Sequence, residues 1–258
     1  MGKTRFGIRV EDKDEWERRV PLTPDQVAAA TRDPGVGFVV QPSASRVFAD
    51  EEYRQAGAEV SDDLASTDII LAIKEVPAKL LLAGKTYVYF AHVIKGQPHN
   101  MGMLRTLLDR DCTLVDYEKV EDAEGRRLIF FGNYAGLAGM YETIHAMGQR
   151  FRALGLETPF ADQQRPVDCF NLASCAENLR QVGERISEEG LPPELVPLVI
   201  GFAGYGNVSK GAQSVIDDSL PVEELQPEEL ETLAGRSDLS PHQLYKVVFK
   251  ESHMVEPA

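Results

Sequence analysis

The alternation of short apolar segments with helical patterns is the strongest constraint on what this chain can fold into. Strand-like runs occur at 6–10, 37–41, 69–73, 87–90 and 113–116, and helical patterns lie between them at 23–31, 50–56 and 100–110. Strands that alternate with helices form a mostly parallel sheet covered on both faces, and ligands collect at the carboxyl ends of its strands. This part of the chain is therefore predicted to be an α/β substrate domain with a Rossmann-like (flavodoxin-like) parallel sheet.

The second half of the chain begins with helices and returns to a strand only near residue 198. Apolar residues at three- and four-residue spacings predict one long helix at 135–154, and a second helical pattern runs from 172 to 187. We therefore expect three parts. These are a substrate domain at 1–134, linking helices at 135–195, and the start of an NAD(P)-binding Rossmann domain at 196–258.

A glycine turn follows the apolar strand that begins at residue 198. Gly204, Gly206 and Ser209 occupy the three small-residue positions of a G-x-G-x-x-G pattern, and a helical pattern begins directly at Asn207 and Val208. Backbone N–H groups at such a helix start face the pyrophosphate of a dinucleotide. These five residues are predicted to bind NADP(H) or NAD(H). The alternative is a tight turn with a purely structural role.

The sequence after the glycine turn is short for a complete nucleotide domain. The pattern expects an acidic residue at the end of the second strand for a ribose hydroxyl, and Glu223 and Glu224 lie roughly 20 residues on, in a weak, proline-led strand. About 35 residues remain after it, whereas a six-stranded nucleotide domain needs on the order of 100 more. We therefore expect an incomplete Rossmann domain, with the apolar stretch at 244–250 left without a complete sheet to cover.

Four side chains lie where a parallel sheet is expected to bind its ligand. Arg18 and Arg19 come just before the first helix, where Arg19 can hold a carboxylate through a bidentate pair. Lys74 follows the strand at 69–73, and His92 follows the strand at 87–90. A lysine and a histidine at the ends of neighbouring strands are candidates for an acid–base pair. The alternative for each is an ordinary polar residue at a strand end or on the surface.

Composition excludes several classes of function. Lys and Arg total 27 against 41 Asp and Glu, a net charge of −14, which argues against binding the phosphate backbone of a nucleic acid. The three cysteines and five histidines show no CxxC or HxxxH spacing, so neither a disulfide framework nor a metal site is predicted. Because no signal-peptide core and no run of about 18 apolar residues occurs, we expect a cytoplasmic protein without a membrane partner.

Five segments together resemble lysine–2-oxoglutarate reductase, the saccharopine-forming (saccharopine dehydrogenase) oxidoreductase family. Its wider relatives are alanine dehydrogenase and the soluble part of proton-translocating transhydrogenase. The segments occur in the family's order and cover nearly the whole chain: RRVPLTP at 18–24, IKEVP at 73–77, FAHVIKGQ at 90–97, FGNYAGLAGM at 131–140 and GYGNVSKGAQ at 204–213. The last two segments resemble the saccharopine-forming branch more closely than its relatives.

The resemblance implies a reductive condensation in lysine degradation. The ε-amine of lysine attacks the keto carbon of 2-oxoglutarate, water leaves, and hydride from NADPH or NADH reduces the imine to saccharopine. In that family the residues that match Lys74 and His92 are the acid–base pair, and the arginine that matches Arg19 binds a substrate carboxylate. Gly204 and Gly206 match the pyrophosphate loop, and Arg18, next to Arg19, is a second candidate for substrate binding.

One departure from the family bears on activity. Family members continue past the point that matches Pro257 and complete the nucleotide domain, which this sequence does not. We therefore expect either a fragment, or a short protein whose nucleotide domain is completed by a second chain or in a homo-oligomer. Two other functions stay open: an oxidoreductase closer to alanine dehydrogenase, and a non-catalytic descendant of the fold that binds a ligand or partner.

Overall fold

The computed structural model describes residues 2–233 and 235–255, and the chain divides into two units, Met1–Phe130 and Phe131–Ala258. In the first unit, six short strands form one parallel sheet in the order β3-β2-β1-β4-β5-β6. The strands are β1 (Thr4–Ile8), β2 (Val36–Val40), β3 (Glu59–Val60), β4 (Ile69–Leu71), β5 (Thr86–Tyr89) and β6 (Thr113–Asp116). The predicted α/β parallel sheet is confirmed, and of the two common doubly wound orders this is the Rossmann one.

Three helices cover this sheet: α1 (Pro24–Ala30), α2 (Asp50–Gln55) and α3 (Pro98–Asp109). The α1 helix begins at a capping box, in which the Thr23 hydroxyl accepts from the Gln26 N–H and the Gln26 side chain accepts from the Thr23 N–H. Val27 and Tyr53 are fully buried on one face of the sheet, and Leu107 lies in a second core on the other. Both faces of the strands are therefore covered, which leaves the carboxyl ends as the place for polar side chains.

The second unit contains the helices α4 (Gly132–Ala153), α5 (Leu172–Glu189), α6 (Asn207–Asp217), α7 (Leu230–Leu233) and α8 (Glu251–Met254), and the strands β7 (Val199–Ala203), β8 (Val222–Leu225) and β9 (Leu244–Phe249). The three strands are parallel in the order β7-β9-β8. The apolar stretch at 244–250 was expected to have no complete sheet to cover. Most of it forms β9, the middle strand of this three-stranded sheet, in which Leu244, Tyr245 and Val247 are buried. The expected incompleteness of the nucleotide domain stays a prediction.

The predicted helices at 135–154 and 172–187 form, as α4 and α5, and both pack into the core of the second unit. Ile144 of α4 and Leu179 of α5 are fully buried in one cluster with Phe202 of β7 and Leu244 of β9. The two units divide at residue 130, and the predicted domain boundaries at 134 and 195 stay predictions. Within residues 2–233 and 235–255, no helix has the length and apolarity that crossing a bilayer requires.

Glycines allow α4 and α6 to approach at backbone distance. A Cβ atom added to Gly136 of α4 would lie 2.0 Å from the Val208 carbonyl oxygen, and one added to Gly211 of α6 would lie 2.2 Å from the Asn133 carbonyl oxygen. Only hydrogen fits in these gaps, since real Cβ atoms do not come within 3.0 Å of another heavy atom. The segment at 131–140 therefore holds the first two turns of α6 in place.

Candidate active site

The carboxyl ends of β1 and β4 lie side by side at the point where the strand order of the first sheet reverses. Doubly wound sheets bind ligands at this switch point. Glu11, which follows β1, accepts hydrogen bonds there from the backbone N–H groups of Ile73 and Lys74, at 2.6 and 3.1 Å. Burial raises the pKa of Glu11, although the two N–H groups and nearby Arg9 oppose the rise. The Glu11 carboxyl group therefore ties the loop after β1 to the backbone of the candidate catalytic lysine.

The positive charges of Lys74 and Arg19 both stabilise the ionised carboxylate of Glu17. The Arg19 guanidinium holds Glu17 in a bidentate pair, with Nε–Oε1 and Nη2–Oε2 distances of 2.8 and 2.5 Å. Burial opposes ionisation of Glu17, but the hydrogen bonds and charge of Arg19, together with the charge of Lys74, lower its pKa. The bidentate pair that we expected Arg19 to make with a substrate carboxylate is made here with Glu17.

Arg18 points away from this pair. Its Nε atom donates to the carbonyl oxygen of Ser45 at 3.2 Å, and its own carbonyl oxygen accepts from the Val47 N–H at 3.0 Å. These bonds join the segment before α1 to the loop before α2. The two predicted arginines therefore have different neighbours, and only Arg19 lies in the charged cluster with Lys74.

His92 is held by a carboxylate. Its Nδ1 atom lies 2.6 Å from Oε1 of Glu75, the residue that follows Lys74. Lys13 donates to the other oxygen of Glu75 at 2.7 Å, and the Asn100 amide donates to Oε1 at 3.3 Å. Asn100 also donates to the carbonyl oxygen of His92 at 3.2 Å, so one amide fixes both members of the pair. A carboxylate at Nδ1 selects the tautomer that leaves Nε2 to exchange a proton.

The backbone of His92 has a positive φ of 48°, which is uncommon for a residue other than glycine. Its ring stacks on that of Phe90, with ring centroids 6.3 Å apart. Residues held in such conformations are concentrated at functional sites. This backbone turn directs the imidazole back towards Glu75 at the end of β4.

We expect the first unit to lose stability in acid, because Glu75 stabilises the fold only when its carboxyl group is ionised. Burial opposes its ionisation, but hydrogen bonds from Lys13, from its own N–H and from His92 lower its pKa from 4.5 to about 2. A group whose pKa is lower in the folded state stabilises the fold above its ordinary pKa. That contribution is lost as the pH falls through about 2. We expect the free energy of unfolding of Glu75→Gln to be about 1–3 kcal/mol below that of the parent above pH ~5.

Urea unfolding between about pH 3 and pH 7 measures this difference, which should shrink steadily towards the acid end. In a Lys13→Met background the carboxylate has lost one cationic partner, so the pKa of Glu75 should lie closer to its ordinary value. The contribution of Glu75 to stability should then be smaller, and its loss should be complete at a higher pH. Equal unfolding curves for Glu75→Gln and the parent at every pH would show that the ion pairs of Glu75 contribute nothing to stability.

A cavity of about 570 Å³ opens beside this pair, with Lys13, Glu75, His99 and Asn100 among its lining residues. Its volume falls within the range of small-molecule sites. Tyr117, after β6, also lies at this edge of the sheet, because its ring contacts that of Phe90 with centroids 5.1 Å apart. Burial and the charge of Glu11 raise the pKa of Tyr117 to about 12. The carboxyl ends of four neighbouring strands thus contribute ionisable side chains to one region.

The glycine turn of the second unit has the geometry that the sequence predicts. Gly204 adopts a φ of 100°, which favours glycine, and Gly206 caps α6, where its carbonyl oxygen accepts the first helical bond from Lys210 at 2.9 Å. Asn207 and Val208, in the first turn of α6, are exposed. The residues therefore fit a pyrophosphate, because Gly206, Asn207 and Val208 at this helix start are exposed and the turn carries no side chain at Gly204 or Gly206.

At Gly211, two residues after Ser209, α6 approaches α4 at backbone distance. The Ser209 hydroxyl accepts from the Gln213 side chain at 2.9 Å. The candidate ribose ligands also have other partners. Glu223 pairs with Arg236 at 3.1 Å and Glu224 with Lys246 at 2.8 Å.

Several functional candidates were missed by sequence reasoning. Glu11, Glu17 and Glu75 are the carboxylates that hold Lys74, Arg19 and His92, the residues that were predicted. The sequence signal available for Glu75 is its place beside Lys74 at the end of a buried strand. Glu11 and Glu17 lie in an acidic loop, residues 11–17, where no spacing distinguishes one carboxylate from another.

Fold and site together define an α/β protein of the Rossmann type, with a carboxylate-held histidine and lysine at the edge of its first sheet and a glycine turn in its second unit. The chain belongs to the alanine dehydrogenase/PNT N-terminal domain family, whose model matches residues 7–138.

Comparison with known proteins extends the similarity beyond that domain. The chain is 38% identical over 251 residues to alpha-aminoadipic semialdehyde synthase, mitochondrial, of Rattus norvegicus, which covers 97% of the chain and 27% of the relative. It is 30% identical over 232 residues to saccharopine dehydrogenase [NAD(+), L-lysine-forming] of Emericella nidulans, which covers 84% of the chain and 57% of the relative. The chain thus spans about a quarter of the first relative and little more than half of the second. The predicted cytoplasmic location stays a prediction.

Solved structures support the fold. An L-alanine dehydrogenase superimposes with a TM-score of 0.56 at 19% identity, covering 96% of this chain and 62% of the other. The transhydrogenase from Sinorhizobium meliloti gives a TM-score of 0.57 at 17% identity, covering 93% and 63%. At these identities the similarity is one of architecture.

Proposed function

We propose that this chain provides the substrate site and the pyrophosphate turn of an oxidoreductase that condenses L-lysine with 2-oxoglutarate and reduces the product to saccharopine. The observation that carries the proposal is the His92–Glu75 pair next to Lys74, at the switch point of the first sheet. The names of the relatives support it, since one is a saccharopine dehydrogenase that forms L-lysine. The reaction belongs to lysine degradation.

Condensation needs two proton carriers. The amine of the substrate lysine must lose a proton before it attacks the keto carbon, and the carbinol oxygen must gain one before it leaves as water. We assign these transfers to His92 Nε2 and Lys74 Nζ. Glu75 holds the imidazole through Nδ1, and Glu11 holds the backbone of Lys74, so both carriers are positioned before substrate binds.

Arg19 is assigned to a carboxylate of 2-oxoglutarate, with Arg18 as a second candidate. In this structure Glu17 occupies the guanidinium fork of Arg19, so an incoming carboxylate would share the fork or displace Glu17. Glu17 therefore orients Arg19 in the absence of substrate. The two negative charges of 2-oxoglutarate favour replacement of Glu17 by a substrate carboxylate at Arg19.

The nicotinamide cofactor, NADP(H) or NAD(H), would supply the hydride that reduces the imine. Gly204, Gly206, Asn207, Val208 and Ser209 are assigned to its pyrophosphate, through the backbone N–H groups at the start of α6. In the described residues β7 is paired only on its β9 side, so its other edge can accept a further strand. We include in the proposal a homo-oligomer or second chain at that edge, which light scattering of the purified chain would detect.

The proposal is tested by the absorbance of reduced nicotinamide and by calorimetric binding of saccharopine. We expect oxidation that requires lysine and 2-oxoglutarate together, and saccharopine binding that Arg19→Ala weakens. An alanine dehydrogenase-like enzyme would instead oxidise the cofactor with pyruvate and ammonia. A folded chain that neither binds saccharopine nor turns over these substrates would contradict the proposal, and binding of another ligand without turnover would favour the non-catalytic alternative.

A further inference from the structure

The strand next to the glycine turn is β9, which comes last along the chain. Ala203 at the end of β7 pairs with Phe249 at the end of β9, and the Gly204 N–H donates to the Phe249 carbonyl oxygen at 2.8 Å. The residue after β9, Lys250, therefore lies beside the first glycine of the turn. In dinucleotide domains the ribose of the adenosine is recognised at this place, the carboxyl end of the strand beside the glycine turn.

The acidic residues of β8 are too distant for this role. β8 is separated from β7 by β9, which puts it roughly 10 Å away across the sheet. Glu224 is also level with Lys246 and Ile200, four residues before Gly204, so it lies roughly 13 Å back along the strands. A carboxylate at either Glu223 or Glu224 therefore does not reach a ribose beside the turn.

Lys250 falls on the face of the sheet that α6 covers. Successive residues of a strand alternate between faces, and Lys246 of β9 donates to Asp217 at the end of α6, at 2.8 Å. Lys250 is four residues later and still extended, with φ −95° and ψ 169°, so it continues the same face. Its side chain is exposed, and no carboxylate in residues 2–233 and 235–255 pairs with it.

The turn after β9 is arranged around Lys250. The Lys250 N–H donates to Nδ1 of His253 at 3.1 Å, and Nε2 of His253 lies 3.9 Å from the carboxylate of Glu228. Ser252 supplies a hydroxyl donor, and Glu251 is the one carboxylate within the turn. Glu251 follows Lys250 directly, so it begins α8 rather than continuing the strand face.

We propose that the segment Lys250–His253 selects the coenzyme and that the Lys250 ammonium binds the 2′-phosphate of NADP(H). This proposal rests on the proposed function, since it names the coenzyme of the same site. NAD-preferring domains place a carboxylate at this position, where it accepts from the ribose 2′-hydroxyl. A lysine cannot accept that hydrogen bond, whereas it attracts a phosphate, and Ser252 adds a neutral donor beside it.

The test is calorimetric binding of NADPH, NADH, 2′,5′-ADP and 5′-AMP to the full chain, without lysine or 2-oxoglutarate. The parent should bind NADPH at least about tenfold more tightly than NADH, and 2′,5′-ADP more tightly than 5′-AMP. Lys250→Ala should weaken NADPH and 2′,5′-ADP by about 10- to 100-fold and change NADH by less than about twofold. Lys210→Ala, in the first turn of α6, is the matched control, because loss of a charge near the pyrophosphate weakens both coenzymes equally.

Equal weakening of NADPH and NADH by Lys250→Ala would overturn the proposal, as would tighter binding of NADH by the parent or no binding of either coenzyme. Circular dichroism checks that the variant is folded, which its exposed position leads us to expect. A failure of the proposed function alone gives a different result. The parent would still prefer NADPH and Lys250→Ala would still lose that preference, but saccharopine would not bind and lysine with 2-oxoglutarate would produce no turnover.

Discussion

Replacing His92 by asparagine is expected to lower the rate of lysine- and 2-oxoglutarate-dependent coenzyme oxidation by about 10²- to 10⁴-fold. The imidazole is the group assigned to proton transfer, and an amide has no proton to exchange at this pH. Asparagine is chosen because it tolerates positive φ, so the backbone at 48° is retained. The measurement is kcat with both substrates saturating, together with saccharopine affinity, which should change little.

The matched control is His242→Asn, which replaces an exposed histidine of the second unit and should keep the parent rate. A Lys74→Met variant should show a loss of similar size, because the second proton carrier is then missing. A rate for His92→Asn within about threefold of the parent would remove His92 from the chemistry, since proton transfer by a positioned side chain contributes far more than that.

Replacing Gly136 by alanine is expected to destabilise the second unit by about 1–3 kcal/mol or more. The added methyl group would lie 2.0 Å from the Val208 carbonyl oxygen and 2.8 Å from the Ala212 nitrogen, so α4 and α6 must separate. Both contacts are to backbone, which cannot move aside by changing a rotamer. Because Val208 is in the first turn of α6, coenzyme affinity should fall together with stability.

Urea denaturation measures the loss, and Gly139→Ala on the same helix is the control. A Cβ atom at Gly139 meets nothing within 4 Å, so alanine there should stabilise the chain by about 0.5–1 kcal/mol through helix propensity. Equal stability of Gly136→Ala and Gly139→Ala would show that α4 and α6 do not pack at backbone distance in solution.

Local sequence pattern was sufficient to predict the elements that carry Lys74, His92 and the glycine turn. Most strands and helices of the first unit were predicted within a few residues because apolar periodicity is a property of short segments. The positions of Lys74 and His92 at one edge of the sheet were predicted because parallel strands bring their carboxyl ends together. The glycine turn was found because its φ of 100° at Gly204 depends on a residue type that the sequence displays directly.

Tertiary pairing decided the rest. The pairing of β9 with β7 joins residues more than 40 positions apart, and no local pattern specifies which parallel strand is the neighbour. That pairing moves the expected coenzyme-selecting position from Glu223 and Glu224 to Lys250. Likewise the sequence displays every glycine, but only packing distinguishes Gly136, against α6, from Gly139, which faces open space.

The sequence by itself determined the α/β class, most elements of the first unit in their order, and the positions of Lys74 and His92 at the ends of strands, because each follows from chemistry within a few residues. Only the tertiary structure decided which carboxylates hold those residues. Glu11, Glu17 and Glu75 make these contacts, out of many acidic residues, because the loops that carry them pass over the carboxyl-terminal edge of the sheet. The paths of those loops depend on the packing of the two cores of the first unit and not on any one segment.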